Sequence, residues 1–315
     1  KCFRGALKLK KWTVILSGII IIILLIADLI YLRGIENNEQ NMGMDEKEEG
    51  PETIEKEEIR LSADETIDYA LASNQVHITF NKGKDWIEVP IKQHPILNEQ
   101  SSMNDELAEG SYLLTKKRIA FLSSVETANP VGQLFVNYSF DSGITWHESL
   151  VDETYLGNRF WRVDFIDDQF GYIIATGEKV VAQEVIYIYL TKDGGRSWQP
   201  ASEEQIVTRL IADGGFIDKS TGFLSVNSIN PTAPEVLVTY DSGKTWKQTV
   251  IDVPKQYHEI FVSAEMPYIE DNQLTVLINQ GPNGDYKGAK VKGKFISADN
   301  GATWHFSTEV ESNED

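Results

Sequence analysis

The pattern of apolar and polar positions divides the chain into three stretches. Trp12 to Leu32 is almost continuously apolar, and Val14–Ala27 carries no charge. At ~1.5 Å per residue such a run spans about 30 Å, the hydrocarbon thickness of a bilayer, and it predicts one transmembrane α-helix. From 33 to 66 the apolar pattern is lost. Gly34–Thr66 holds twelve acidic and three basic residues, a composition that cannot bury a core and predicts an extended linker. Beyond it, short apolar runs alternate with Asp, Gly, Asn and Ser, the punctuation of strands and tight turns. Strands are predicted at Val76–Thr79, Leu134–Ser139, Val185–Leu190, Val236–Thr239 and Phe295–Ser297.

Each of these five strands runs into one recurring pattern, Ser/Thr-x-Asp-x-Gly-x-Thr/Ser-Trp, below called the box. Its fixed positions are Asp141, Gly143, Thr145 and Trp146; Asp193, Gly195, Ser197 and Trp198; Asp241, Gly243, Thr245 and Trp246; and Asp299, Gly301, Thr303 and Trp304. A degenerate copy opens the series with Asn81, Gly83 and Trp86. Successive Trp residues are 60, 52, 48 and 58 positions apart. The pattern reads as a hairpin. Gly supplies positive φ, the Asp carboxylate collects backbone N–H groups, and the Trp opens the return strand and packs toward the next sheet. These residues are therefore expected to be structural. Each loop has too few acidic side chains for a calcium cage, so no metal and no cofactor is expected.

A second motif keeps the same period. Phe165-Ile166-Asp167-Asp168-Gln169-Phe170-Gly171-Tyr172 matches Phe216-Ile217-Asp218-Lys219-Ser220-Thr221-Gly222-Phe223, each a strand, a tight turn and a strand. One unit is then four strands, for example Trp161–Phe165, Gly171–Ala175, Val185–Leu190 and Ser197–Pro200. Four-stranded units of about 50 residues predict an all-β chain, a β-propeller. Box counting favours five blades. Six or seven follow if a blade without a box lies in Ile87–Leu134, and the first unit has little chain for its innermost strands.

The box resembles the BNR or Asp-box repeat of sialidases, some glycosidases and sortilin-type receptors. Together with the Phe-x-Asp…Gly-aromatic motif it is similar to photosystem II stability/assembly factor-like proteins. The resemblance covers most of the chain after residue 66 and implies architecture. In those families the boxes lie on the outer part of the propeller, away from the ligand face.

Charge and flanking residues set the compartment. Lys1, Arg4, Lys8, Lys10 and Lys11 precede the apolar run, so 1–11 is expected in the cytoplasm and everything after the 12–32 helix outside the cell. The domain plan is a basic tail (1–11), a membrane helix (12–32), an acidic linker (33–66) and the propeller (67–315). A net charge of −19 disfavours nucleic acid and attraction to anionic lipid. The one cysteine, Cys2, precedes the helix, so the outer domain has no disulfide.

Candidate chemistry is sparse. The sialidase resemblance implies three arginines, a Tyr–Glu pair, an Asp acid/base and an Arg-Ile-Pro motif. Here Glu58-Ile59-Arg60-Leu61-Ser62 replaces that motif, and Arg60, Arg118, Arg159, Arg162, Arg196 and Arg209 are the arginines available. Asp164, Asp167 and Asp168 are the acids nearest an inner turn, where turn formation explains them without catalysis. His77, His94, His147, His258 and His305 are scattered. The contact-like residues are Arg159, Trp161 and Arg162, and a basic loop, Gln280–Lys294, with Lys287, Lys290, Lys292 and Lys294. The reading is a non-catalytic module that binds a protein or glycan ligand, with a glycoside hydrolase as the alternative.

Overall fold

The computed structural model describes residues 66–72, 75–97, 106–125, 132–155, 159–180, 183–204, 206–227, 230–281 and 284–311. The predicted cytoplasmic tail, membrane helix and nearly all of the linker lie outside the described residues. Among the described residues no helix is long and apolar enough to cross a membrane.

The described chain is all-β and builds five sheets in succession. The first holds β1 (Asp68–Ala72), β2 (Gln75–Thr79) and β3 (Ile87–Glu88). The second holds β4 (His94–Pro95), β5 (Tyr112–Leu114), β6 (Ile119–Val125), β7 (Gly132–Ser139) and β8 (His147–Tyr155). The third holds β9 (Trp161–Phe165), β10 (Gly171–Val180), β11 (Gln183–Thr191), β12 (Gln199–Pro200) and β13 (Ile206–Thr208). The fourth holds β14 (Leu210–Phe216), β15 (Gly222–Asn227), β16 (Glu235–Thr239) and β17 (Lys247–Gln248). The fifth holds β18 (Val250–Asp252), β19 (Phe261–Ala264), β20 (Tyr268–Glu270), β21 (Gln273–Gln280), β22 (Val291–Ser297) and β23 (Thr303–Glu311). The third and fourth are the simplest, meanders ordered β9-β10-β11-β12 and β14-β15-β16-β17. The stretch Ile87–Leu134, considered above for a blade without a box, contributes to the first two sheets instead.

Four apolar clusters join neighbouring sheets. Ile78, Phe121 and Trp146 belong to the cluster between the first and second, and Tyr138, Trp161, Tyr189 and Trp198 to that between the second and third. Ile188, Phe216 and Leu224 join the third to the fourth, and Phe223, Phe261, Phe295 and Trp304 the fourth to the fifth. Alternation along each strand places apolar side chains on both faces, so each sheet packs against two neighbours. The innermost strands meet, β9 against β14 and β14 against β19. This serial face-to-face stacking is the arrangement of propeller blades.

The box loops repeat atom for atom. In the second, Ser139 Oγ donates to Asp141 Oδ1 (2.9 Å) and accepts Gly143 N (2.9 Å), and Asp141 accepts Thr145 N (2.8 Å) and Thr145 Oγ1 (2.6 Å). The same set recurs around Asp193, Asp241 and Asp299. Gly83, Gly143, Gly195, Gly243 and Gly301 all have positive φ (75–91°), and so does the residue before each. The degenerate copy reverses one bond: Asn81 Oδ1 accepts Asp85 N (2.9 Å), while Asn81 Nδ2 donates to Asp85 Oδ2 (2.8 Å). The box tryptophans are not equivalent. Trp198 and Trp304 are buried, whereas Trp86, Trp146 and Trp246 are half-buried. The indole N–H of Trp146, Trp198 and Trp246 donates to the box glycine carbonyl, and that of Trp304 is buried with no partner among the described residues.

Candidate functional site

Because successive strands run antiparallel, the box turns and the Phe-x-Asp turns share one end of the sheets. That end is cross-tied. Asp167 Oδ1 accepts Gln169 N and Phe170 N, and Asp218 Oδ1 accepts Ser220 N and Thr221 N, at 2.7–2.8 Å. Both turns are then gripped by a box: Gly194 N donates to Gln169 O (2.8 Å) and Ser242 N to Ser220 O (3.0 Å), while in the first box Lys82 N donates to Thr66 O (3.3 Å). Asp167 and Asp168 also pair with Lys219 and Lys117 at 2.7 and 2.6 Å. Lys219 is the first of the bonds that hold the Asp167 carboxyl well below the usual carboxylate range. Both acids are thus committed to turn structure. Arg118 is buried here between the rings of Phe140 and Phe165, 4.7 and 4.0 Å from their centroids.

The opposite end carries the described parts of the connections from β12 to β14, β15 to β16, β18 to β19 and β21 to β22. It meets the inner edge of the sheets in a set of ionic contacts. Arg159 Nε donates to Glu184 Oε2 (2.9 Å) and its Nη2 to Ile211 O (2.7 Å). Glu184, whose side chain is fully buried, also accepts Ile211 N. The pair therefore fastens the third sheet to the innermost strand of the fourth. One sheet on, Arg209 pairs with Glu235 in the equivalent position.

Deeper along the inner strands, Arg162 pairs with Asp213. Asp213 also accepts Gly214 N (2.8 Å) and, from the fifth sheet, Met266 N (2.7 Å). One carboxylate so links three consecutive sheets. A register shift between Ile211 and Asp213 bends β14 at this point, as bulges do where a side chain is re-aimed. Beside it, burial pushes the Asp164 carboxyl up, against the lowering bond from Phe165 N (2.7 Å) and the nearby Arg162.

These contacts revise the reading of the contact-like residues. Arg159 and Arg162 are engaged internally. Trp161 is buried, its indole N–H donating to Tyr155 Oη (2.7 Å). Arg196 donates to Asp193 O inside its box. The proposed basic loop is shorter than expected, since β21 reaches Gln280 and β22 begins at Val291. Lys292 and Lys294 are strand residues paired with Glu265 and Glu270, and Lys287 pairs with Glu309. Lys290 is exposed at the loop's end. The pairing acids lie up to 27 positions away, which is why spacing along the chain did not show them.

The loop end also holds a groove that sequence reasoning missed. It measures about 190 Å³ between the fourth and fifth sheets, and Asn230, Pro231, Glu259, Ile260, Gln280 and Tyr286 are among its lining residues. A second hollow of about 170 Å³ adjoins it across Pro231, with Arg209, Asn227 and Glu235 in its wall. No alternation or motif marks these residues, because three separate connections bring them together.

No protein-family model matches the sequence, and neither does any curated protein. Solved structures similar to the chain include a Trypanosoma rangeli sialidase in complex with sialic acid, at 12% identity and a TM-score of 0.39. That match covers 75% of this chain and 42% of the sialidase, so the chain spans under half its length. A GH43_1 enzyme from Xanthomonas citri matches at 9% identity and 0.37, over 64% of this chain and 72% of the enzyme. The major Malassezia sympodialis allergen Mala s 1 matches at 12% and 0.42, over 79% and 76%. Likeness at this level transfers no residue roles, and the site stands on its own geometry.

Proposed function

We propose that this chain is a non-catalytic β-propeller that binds a ligand at the loop end of its sheets, held outside the cell by its N-terminal helix. The observation that carries the reading is the groove between the fourth and fifth sheets, at the end of the sheets opposite the cross-tied boxes. The box loops and Phe-x-Asp turns support an Asp-box propeller of the kind found in photosystem II stability/assembly factor-like proteins, with the boxes as scaffold. The acids at the inner edge are engaged in holding sheets together: Glu184 by Arg159 and Ile211 N, and Asp213 by Arg162 and two backbone N–H groups. The ligand is a protein or a glycan.

One observation favours the second reading, a glycoside hydrolase. Asp164 is an inner-strand carboxyl whose affinity for its proton is raised by burial, as in a general acid. The two readings separate on one variant. In a binding module Asp164→Asn leaves ligand capture intact and raises the melting temperature near neutral pH, because burial disfavours the charge that it removes. In a hydrolase the full chain turns over fluorogenic glycosides and Asp164→Asn abolishes that turnover. Crosslinking in intact membranes identifies the bound ligand. Glycoside turnover lost with Asp164 would overthrow the binding reading.

A further inference from the structure

The loop-end groove has a chemical bias that narrows its ligand; this inference rests on the binding reading above. The walls supply acceptors. Glu259 and Asp285 both line it, both are exposed, and neither carboxylate makes a hydrogen bond or ion pair among the described residues. Lys287, two residues from Asp285, is committed to Glu309, so it does not neutralise them. Gln280 also lines the groove. Its amide nitrogen donates to Tyr286 O (2.9 Å) and Val291 O (3.0 Å), and those two carbonyls fix the amide orientation. Its Oε1 is buried and has no donor among the described residues, a state uncommon for a polar atom in a folded protein.

The rest of the lining is apolar. Pro231 and Ile260 contribute aliphatic surface and Tyr286 an aromatic ring, which packs against Tyr257 with centroids 6.2 Å apart. At about 190 Å³ the groove is smaller than the ~300–1,000 Å³ of pockets that enclose whole small molecules. It suits one long side chain. A lining that joins apolar surface to two unpaired carboxylates complements an aliphatic stem with a cationic head. Glycine at 284 is part of the fit, since a Cβ there would stand 3.0 Å from Gln280 Oε1 and 2.4 Å from Gln280 Cβ.

We infer that this groove receives a lysine or arginine side chain presented by a partner protein. The surrounding field acts in the same direction. A chain of net charge −19 draws basic segments toward it, and the two unpaired carboxylates supply local selectivity.

The test uses the full chain and a single-cation probe, Nα-acetyl-lysine amide, with Nα-acetyl-2-aminoheptanoic acid amide, whose n-pentyl side chain has the same number of heavy atoms and no charge, as the neutral isostere. Amide resonances of Ile260, Gly281 and Gly284 are followed by NMR. The expected result is saturable shifts with the cation only. Glu259→Gln/Asp285→Asn should weaken them by about tenfold, with an unchanged melting temperature. Glu203→Gln/Glu204→Gln, which removes the same charge from exposed positions at the same end but outside the groove lining, should change affinity by less than about twofold. Equal shifts with the neutral isostere, equal weakening by both double variants, or no shift at these amides overturns the inference. Saturable shifts with an oligosaccharide at these amides, in place of the cation, overturn it too. Capture of membrane partners by Glu259→Gln/Asp285→Asn at the level of the parent chain also overturns it, and leaves the binding reading standing.

Discussion

Truncating Trp198 to alanine tests the claim that box tryptophans cement neighbouring sheets. The side chain is 8% exposed and lies in the cluster between the second and third sheets. Its ring meets Phe165 edge to face at 5.9 Å, and its N–H is shared between Gly195 O and Ser149 Oγ of the second sheet, both at 3.2 Å. A buried aromatic withdraws about 150–250 Å² from water. At roughly 25 cal/mol per Å² that is ~4–6 kcal/mol, and residual compactness of the unfolded chain lowers it by about 10–40%. Trp198→Ala should therefore cost ~3–5 kcal/mol, the range of large aromatic truncations. Urea denaturation followed by far-UV circular dichroism measures it as a lower midpoint at constant slope. Trp246, half-buried in its box, should lose clearly less. A Trp198→Ala loss under about 1 kcal/mol, or equal losses at the two positions, would refute burial between sheets as the source of the stability.

The remaining predictions concern charge. Glu184→Ala leaves Arg159 and Ile211 N without their shared partner, and should cost ~3–5 kcal/mol by denaturant melt, with part recovered when Arg159 is also replaced by Met. The box aspartates set the acid limit of stability. Thr303, through its backbone N–H and then its hydroxyl, lowers Asp299, and the Thr145 hydroxyl and backbone do the same for Asp141. At Asp193 and Asp241 burial alone would raise the pKa, but bonds from Ser197 and Thr245 outweigh it, and Asp193 falls to about 2. Depressed folded-state values mean that the stabilisation is full above the unfolded value of about 3.9 and disappears as pH falls through the folded values. The melting temperature should hold level from pH 7 to about 5 and drop between about pH 4 and 2, and less steeply so in Asp193→Asn.

The sequence alone determined the local structure. Asp, Gly, Thr and Trp at fixed spacing specify the box because every bond in it closes within eight residues, from Ser139 to Trp146 for example, and the positive φ at Gly143 is written in the residue itself. The Phe-x-Asp turns were legible for the same reason, and the five boxes correspond to five sheets among the described residues. Contacts that join distant segments were not legible. Arg159 and Arg162 have the residue types of a binding surface, yet their partners are 25 and 51 positions away, and only strand order within the third sheet and its stacking on the fourth turn them inward. Lys292 and Lys294 looked like a basic loop until strand pairing set them beside Glu265 and Glu270. The groove is the extreme case. Its walls come from 230–231, 259–260, 280–281 and 284–286, and it exists only where the fourth and fifth sheets bring those segments together. Turn chemistry acts over a few residues and so can be read along the chain, whereas a concave surface is a property of how sheets pack.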